Sequence, residues 1–179
     1  VLFDYQKGRG RDGPTKLLKD FKGYLQTDGY SVYEQYEDHH DITLLGCMAH
    51  ARRHFVKAQS NDPPRANHFL TQVQKLYQIE RELKEENAQA DKIWKVRQEK
   101  AVPILQQLAN WFINEYPKVL PKSAIGKAIQ YAHSRWKKIS RYTLDGNFLI
   151  DNNLIENRIR PLALGRKNWL FAGSHHAAQ

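Results

Sequence analysis

The chain has 179 residues, 41% of them hydrophobic, enough for one globular domain or one domain carrying a large insertion. Its 28 Lys and Arg outnumber 19 Asp and Glu, and the resulting net charge of +9 with a pI near 9.6 favours a polyanionic partner, nucleic acid first. The single cysteine, Cys47, excludes an internal disulfide framework; with no run of about 18 apolar residues and no basic-then-apolar leader, a cytoplasmic protein with no membrane span is expected.

In chain order, Val1 opens an apolar VLFDY run without an initiator Met, and the tail GSHHAAQ ends without a closing element, so the sequence reads as a fragment. From Val1 to about Ala58, strand-like and helical runs alternate. VLFDY is followed by a helix around Thr15 to Phe21, then GYLQTD, a helix near Val32 to Tyr36, ITLLGC, and a helix from about Ala49. From Pro63 to about Tyr142 the pattern is wholly helical. Phe69, Val73, Leu76, Tyr77 and Leu83 share one face, Ile104, Leu105, Leu108, Trp111 and Phe112 another, and Ile125, Ile129, Ala132, Trp136 and Ile139 a third. Pro63-Pro64 opens this zone, Pro117 and Pro121 punctuate it, and Asp145-Gly146-Asn147 closes it. The spacing predicts an α/β domain, residues 1–60 and 143–179, interrupted by a helical insertion over 61–142.

Most of the excess positive charge falls in residues 61–140, with fourteen basic side chains against eight acidic. Lys118, Lys122, Lys127, Arg135, Lys137, Lys138 and Arg141 follow one another with no acid between Tyr116 and Leu144. Such a run suits a DNA-backbone surface, and equally a solvated basic helix face.

Three constellations bear chemistry. Asp28, in LQTDGY, falls at the C-terminal end of a strand, where a carboxylate projects into a crevice and can hold a divalent cation; Asp-Gly is also a common turn pair. Cys47-x-x-His50 follows the ITLL strand and leads into Arg52, Arg53 and His54; it makes a poor zinc half-site, because the remaining ligands would be scattered histidines such as His39 and His40. His50 and Arg52, at a helix start, are expected to face the same crevice as Asp28 and to approach phosphates. Glu156 leads a helix that runs into Arg158, Arg160, Arg166 and Lys167, which places an acid beside a phosphate-binding surface. Its plain alternatives are a capping box with Asn153 and a surface ion pair with Arg160. Pro161 is expected to kink this helix, since it lacks the N–H that would bond the Asn157 carbonyl. Trp169 and Phe171 suit core packing better than base stacking.

LQTDGY, CMAHARRHF, LPKSAIGKAIQYA and above all IDNNLIENRIRPLALGRKNWLFAGS resemble the DDE transposases of the insertion-sequence-sixty-six group, and the likeness runs over essentially the whole chain. The resemblance implies a ribonuclease H-like fold with a helical insertion before the last acidic helix. It also implies three carboxylates holding two Mg²⁺ (or Mn²⁺) ions for DNA cleavage and strand transfer. It assigns Asp28 as the second acid and Glu156 as the third, both metal ligands, with His50 supporting the active site. DNA, as element ends and target, is the implied partner of a homo-oligomer, with Arg52, Lys122, Lys127, Arg158, Arg160, Arg166 and Lys167 on its backbone.

The family's first acid lies on a strand upstream of the segment resembling VLFDY, and no position here matches it; Asp4, on or just after the third strand, is not a replacement. In the implied strand order 3-2-1-4-5, the first two strands would separate VLFDY from the strand ending at Asp28. The expectation is an incomplete ribonuclease H-like sheet, a loose or abnormally paired VLFDY, and no activity from these residues alone. A ribonuclease H-like nuclease and a non-catalytic DNA-binding remnant are the competing functions.

Overall fold

A computed structural model describes residue 6 and residues 8–168; VLFDY, Trp169, Phe171 and the tail histidines lie outside the described residues. The elements run α1 (Asp12–Leu17), β1 (Gly23–Gln26), a 3-10 helix (Ser31–Tyr36), β2 (Ile42–Leu45), α2 (Met48–Ala58), α3 (Pro63–Glu85) and α4 (Ala90–Val96). A π turn (Arg97–Ala101), α5 (Val102–Glu115), a 3-10 turn (Tyr116–Lys118), α6 (Ala124–Ser140), a 3-10 turn (Arg141–Leu144) and α7 (Asn153–Asn168) complete the order.

Both expected strands form, and they pair in parallel with Gly23 opposite Ile42 and Gln26 opposite Leu45. Parallel neighbours need a crossover of a dozen residues or more, which the segment 27–41 supplies. β2 is buried at Ile42, Leu44 and Leu45, and packs with Tyr36, Leu18, Leu25 and Tyr33 into a small cluster of its own. Among the described residues the sheet has two strands, so the chain is a mostly helical α/β protein. The first helix starts at Asp12 rather than near Thr15, because Pro14, whose fixed φ suits a first turn, lies inside it.

The main core is helical. α2 packs on α3 and α6, and α5 closes the group against the same two helices. Each predicted face holds. Phe69, Val73, Leu76 and Leu83, then Leu105, Leu108 and Phe112, then Ile125, Ile129, Ala132, Trp136 and Ile139 are buried, while Tyr77, Ile104 and Trp111 are half-buried against them. The cluster does not stop at Pro63: Met48, Ala51, Phe55 and Ala58 of α2 belong to it, as does Ile150 just before α7. Asp62 caps α3 by accepting the Arg65 N–H at 3.1 Å, and Ser123 caps α6 by accepting that of Gly126 at 3.0 Å.

A buried guanidinium joins α3 to the segment that leads back to α7. Arg97, 2% exposed, donates from Nε and Nη2 to Glu80 at 2.9 and 2.6 Å. It also donates to the carbonyls of Tyr142, Asp145 and Phe148 at 2.9, 2.7 and 2.9 Å. A fork of five donors suits this task, and a lysine could not replace it.

The acid-free basic run is not acid-free in space. Lys118 pairs with Glu115 at 2.7 Å, Arg135 with Glu34 at 3.2 Å and Lys138 with Glu37 at 2.8 Å, while Arg141 donates to the Leu44 carbonyl at 2.7 Å. The last three dock α6 onto the strand layer, so much of the run is internal mortar. Lys122, Lys127 and Lys137 remain exposed.

Candidate active site

The site forms where three element ends meet: the C-terminus of β1, the N-terminus of α2 and the N-terminus of α7. Gln26 links all three by donating from Nε2 to the carbonyls of Gly46 at 3.2 Å and Leu149 at 2.8 Å. The Met48 N–H reaches the Ile150 carbonyl at 3.1 Å. Gly46 is a close approach point, since a Cβ there would sit 2.8 Å from a side-chain carbon of Ile139 and 3.0 Å from its backbone nitrogen.

Cys47 is buried, and its thiol donates to Asn152 Oδ1 at 2.9 Å while the Asn152 N–H returns to Sγ at 3.5 Å. Burial pushes the thiol pKa up, so sulfur keeps the proton it donates. Next to it, Asp151 accepts the Tyr77 hydroxyl at 2.6 Å and the Asn153 N–H at 3.0 Å. Burial, then the Asp151 carboxylate, raises the Tyr77 phenol well above its ordinary value. The run 149–152 is therefore held from β1, α2 and α3 before α7 begins.

These holds place Glu156 against α2. Its Oε1 lies 3.3 Å from His50 Nε2 and its Oε2 accepts from Arg53 Nη2 at 2.6 Å. His50 and Arg53, three residues apart, present one face of α2 to the acid. His50 Nδ1 is buried without a hydrogen-bond partner among the described residues, and Nε2 is the ring nitrogen that faces Glu156. Burial first, then the Arg53 charge, lowers the His50 pKa; Glu156, Asp28 and Asp151 oppose them in that order. Asp28 thus lies near enough for its charge to reach the imidazole that Glu156 touches. Its side chain is exposed, just beyond β1, with Oδ1 accepting the Tyr30 N–H at 2.9 Å. The Asp-Gly turn is present at this residue.

Three local expectations are corrected. Asn153 is the first helical residue of α7 rather than its cap, and its amide goes to Asp151 at 2.8 Å, so no capping box forms. Glu156 pairs with His50 and Arg53 across the fold instead of with Arg160 along its own helix. Arg53, which the sequence reading passed over, is the arginine that meets Glu156; the His50-x-x-Arg53 spacing is its signal, and Arg52 is exposed. α7 continues through Pro161 to Asn168, so the proline does not end the helix. Arg158 and Arg160 are exposed on it; the side chains of Arg166 and Lys167 lie outside the described set.

Among the described residues no group of three or more His, Cys, Asp or Glu is arranged to hold a metal. Glu156 meets His50 at 3.3 Å while Asp28 acts on that imidazole through its charge alone; both are hard oxygen donors, and Mg²⁺ is commonly held by one or two carboxylates plus substrate phosphate oxygens. The Arg53–Glu156 pair, 49% and 34% exposed, is worth only about 0.2–1 kcal/mol and yields readily to another cation.

The whole chain, residues 1–179, matches the model of the transposase IS66 family, and the protein belongs to that family. Among curated proteins it is similar to three uncharacterized proteins of Sinorhizobium fredii (strain NBRC 101917 / NGR234). It is 35% identical to y4qI over 97% of this chain and 33% of that protein, and 30% identical to y4jD over 97% of this chain and 35% of that protein. The identity to y4hP is 30%, over 99% of this chain and 35% of that protein. The chain thus spans about a third of the length of the relatives it matches. No solved structure matches it. No described helix is long and apolar enough to cross a membrane.

Proposed function

We propose that these residues carry two of the three acids, Asp28 and Glu156, of a DDE transposase that cleaves DNA and transfers its strands during movement of an insertion sequence. The observation that carries this reading is the meeting of Glu156 with His50 at 3.3 Å, beside an imidazole that also feels Asp28. In this reading Asp28 and Glu156 hold Mg²⁺ or Mn²⁺. A divalent ion bound there supplies Lewis-acid activation of the attacking oxygen and stabilisation of the leaving one. His50, neutral and buried at Nδ1, holds the Glu156 carboxylate in line without adding a charge that competes with a cation. Exposed Arg52, Arg158, Arg160, Lys122 and Lys127 neutralise DNA phosphates, together with Arg166 and Lys167.

The fold we propose is ribonuclease H-like, with β1 and β2 as strands four and five, residues 61–142 as the insertion, and 143–179 as the return. Catalysis in this account needs a third acid and a homo-oligomer on DNA, in the cytoplasm, so residues 1–179 alone give no strand transfer. The test is strand transfer by the full-length protein, using element-end DNA with a free 3′-hydroxyl and Mg²⁺. Asp28→Asn and Glu156→Gln are each expected to abolish joining while DNA binding persists. Cutting without joining in the unaltered protein would favour a nuclease. Joining that survives both substitutions would refute the assignment.

A further inference from the structure

We infer that Tyr131 and Arg135, on the helical zone's α6, are positioning residues that set the aim of Asp28; the inference rests on reading Asp28 as a metal-holding acid. The Asp28–Gly29 turn is fixed at two points. Asp28 Oδ1 takes the Tyr30 N–H at 2.9 Å, and the Asp28 backbone carbonyl takes the Tyr131 hydroxyl at 3.2 Å. The first bond orients the carboxylate relative to the turn, and the second orients the turn relative to α6.

Gly29 shows how close that approach is. It adopts φ +85°, and a Cβ there would lie 2.7 Å from the Tyr131 hydroxyl and 3.2 Å from Arg135 Nε. Any other residue is strained by conformation and obstructed by α6. The Tyr131 ring itself has two close neighbours. His54 of α2 stacks on it with centroids 4.1 Å apart and planes 21° apart, and the Arg135 guanidinium lies 4.5 Å from its centroid. Arg135 then reaches Glu34 on the 3-10 helix at 3.2 Å, across the turn from α6. Contacts with both an imidazole and a cation hold the phenol in place, so its hydroxyl is a post for the Asp28 carbonyl. His54 lies one helical turn after His50, so the same grip references the turn to the helix that carries Glu156's partners.

The cavity between these parts is about 20 Å³, lined by Thr27, Gly29, Cys47, Tyr131 and Arg135 among others; it has room for about one water.

The experiment measures Mn²⁺ binding to the full-length protein by electron paramagnetic resonance, beside strand-transfer kinetics, melting temperature and DNA affinity. Tyr131→Phe removes the hydroxyl but keeps the stacked ring; Gly29→Ala displaces the turn from the other side. Both are expected to weaken Mn²⁺ binding, Tyr131→Phe by about three- to tenfold as one hydrogen bond allows, and to lower kcat at unchanged KM for DNA. Tyr131→Phe keeps the parent melting temperature while Gly29→Ala, strained at its positive φ, lowers it; DNA affinity stays at the parent value in both. If Asp28→Asn and Glu156→Gln leave Mn²⁺ binding intact, the catalytic reading itself fails. If those two abolish it while Tyr131→Phe binds Mn²⁺ as the parent does, the positioning inference alone falls. Weaker Mn²⁺ binding that appears only together with a lowered melting temperature in both variants also overturns it.

Discussion

The Cys47 thiol donates to Asn152 Oδ1 at 2.9 Å, across 105 residues of chain, and so ties the start of α2 to the start of α7. Glu156 lies in the first turn of α7, one turn beyond Asn152, whose carbonyl accepts the Glu156 N–H at 3.1 Å. The thiol thereby fixes the acid without touching it. Cys47→Ala leaves the Asn152 amide short of a buried partner and is expected to cost about 1–3 kcal/mol of unfolding free energy, whereas Cys47→Ser, which keeps a donor, costs less. Urea unfolding of the pair checks this; equal midpoints for the two variants would contradict it.

Arg97 has the largest expected effect on stability. Arg97→Ala strips five hydrogen bonds from α3 and from residues 142–148, and leaves Glu80 without its cation. Removing one partner of such a buried pair costs about 3–5 kcal/mol, and Arg97→Lys, lacking the planar fork, recovers only part of it. Thermal unfolding with calorimetry reads both.

Acid should weaken the protein in two steps. His50 and His54 are held below the ordinary 6.5, mainly by burial, so the unfolded chain binds protons that the folded one refuses. Their contribution is complete above about pH 6.5 and is lost as pH falls through that value toward the lower folded pKa values, at up to about 1.4 kcal/mol per pH unit for each histidine. Asp41, Asp62, Glu86 and Glu115 are lowered by hydrogen bonds to Lys22, Arg65, Lys92 and Lys118 respectively, so their separate contribution disappears only at more acid pH. The double variant His50→Gln/His54→Gln is expected to flatten the slope of stability between pH 7 and 5 while leaving the lower step in place. Denaturant midpoints at a series of pH values measure it.

Arg52 and Arg53 should separate cleanly. Arg53→Gln frees Glu156 from its competing cation, and the Mg²⁺ concentration for half-maximal strand transfer should fall by up to about fivefold, the worth of an exposed pair. Arg52→Gln, which leaves the Arg53–Glu156 pair intact, should leave that concentration unchanged and weaken DNA binding instead.

Periodicity made the helical core legible, because Phe69 to Leu83 and Ile125 to Ile139 repeat every three or four residues and such stripes must be buried somewhere. Alternating short apolar runs located β1 and β2 for the same reason. Partner choice was not legible. Glu156 has Arg160 at helical spacing yet pairs with Arg53, because docking of α7 on α2 outweighs an exposed contact along one helix. Arg135 and Lys138 read as a free basic face until Glu34 and Glu37, about a hundred residues earlier, are brought opposite them. Arg97 carried no sequence signal, since its partners are mostly backbone carbonyls.

The most direct test asks whether Asp28 and Glu156 border one ion. Fe²⁺, exchanged for Mg²⁺ in the full-length protein and exposed to ascorbate and peroxide, cuts the backbone beside its own ligands. The account predicts two cuts at matched Fe²⁺ concentration, one near residue 28 and one near residue 156, both lost in Glu156→Gln and both suppressed by excess Mg²⁺. A cut near residue 28 that persists unchanged in Glu156→Gln, or cuts at neither segment, would contradict it.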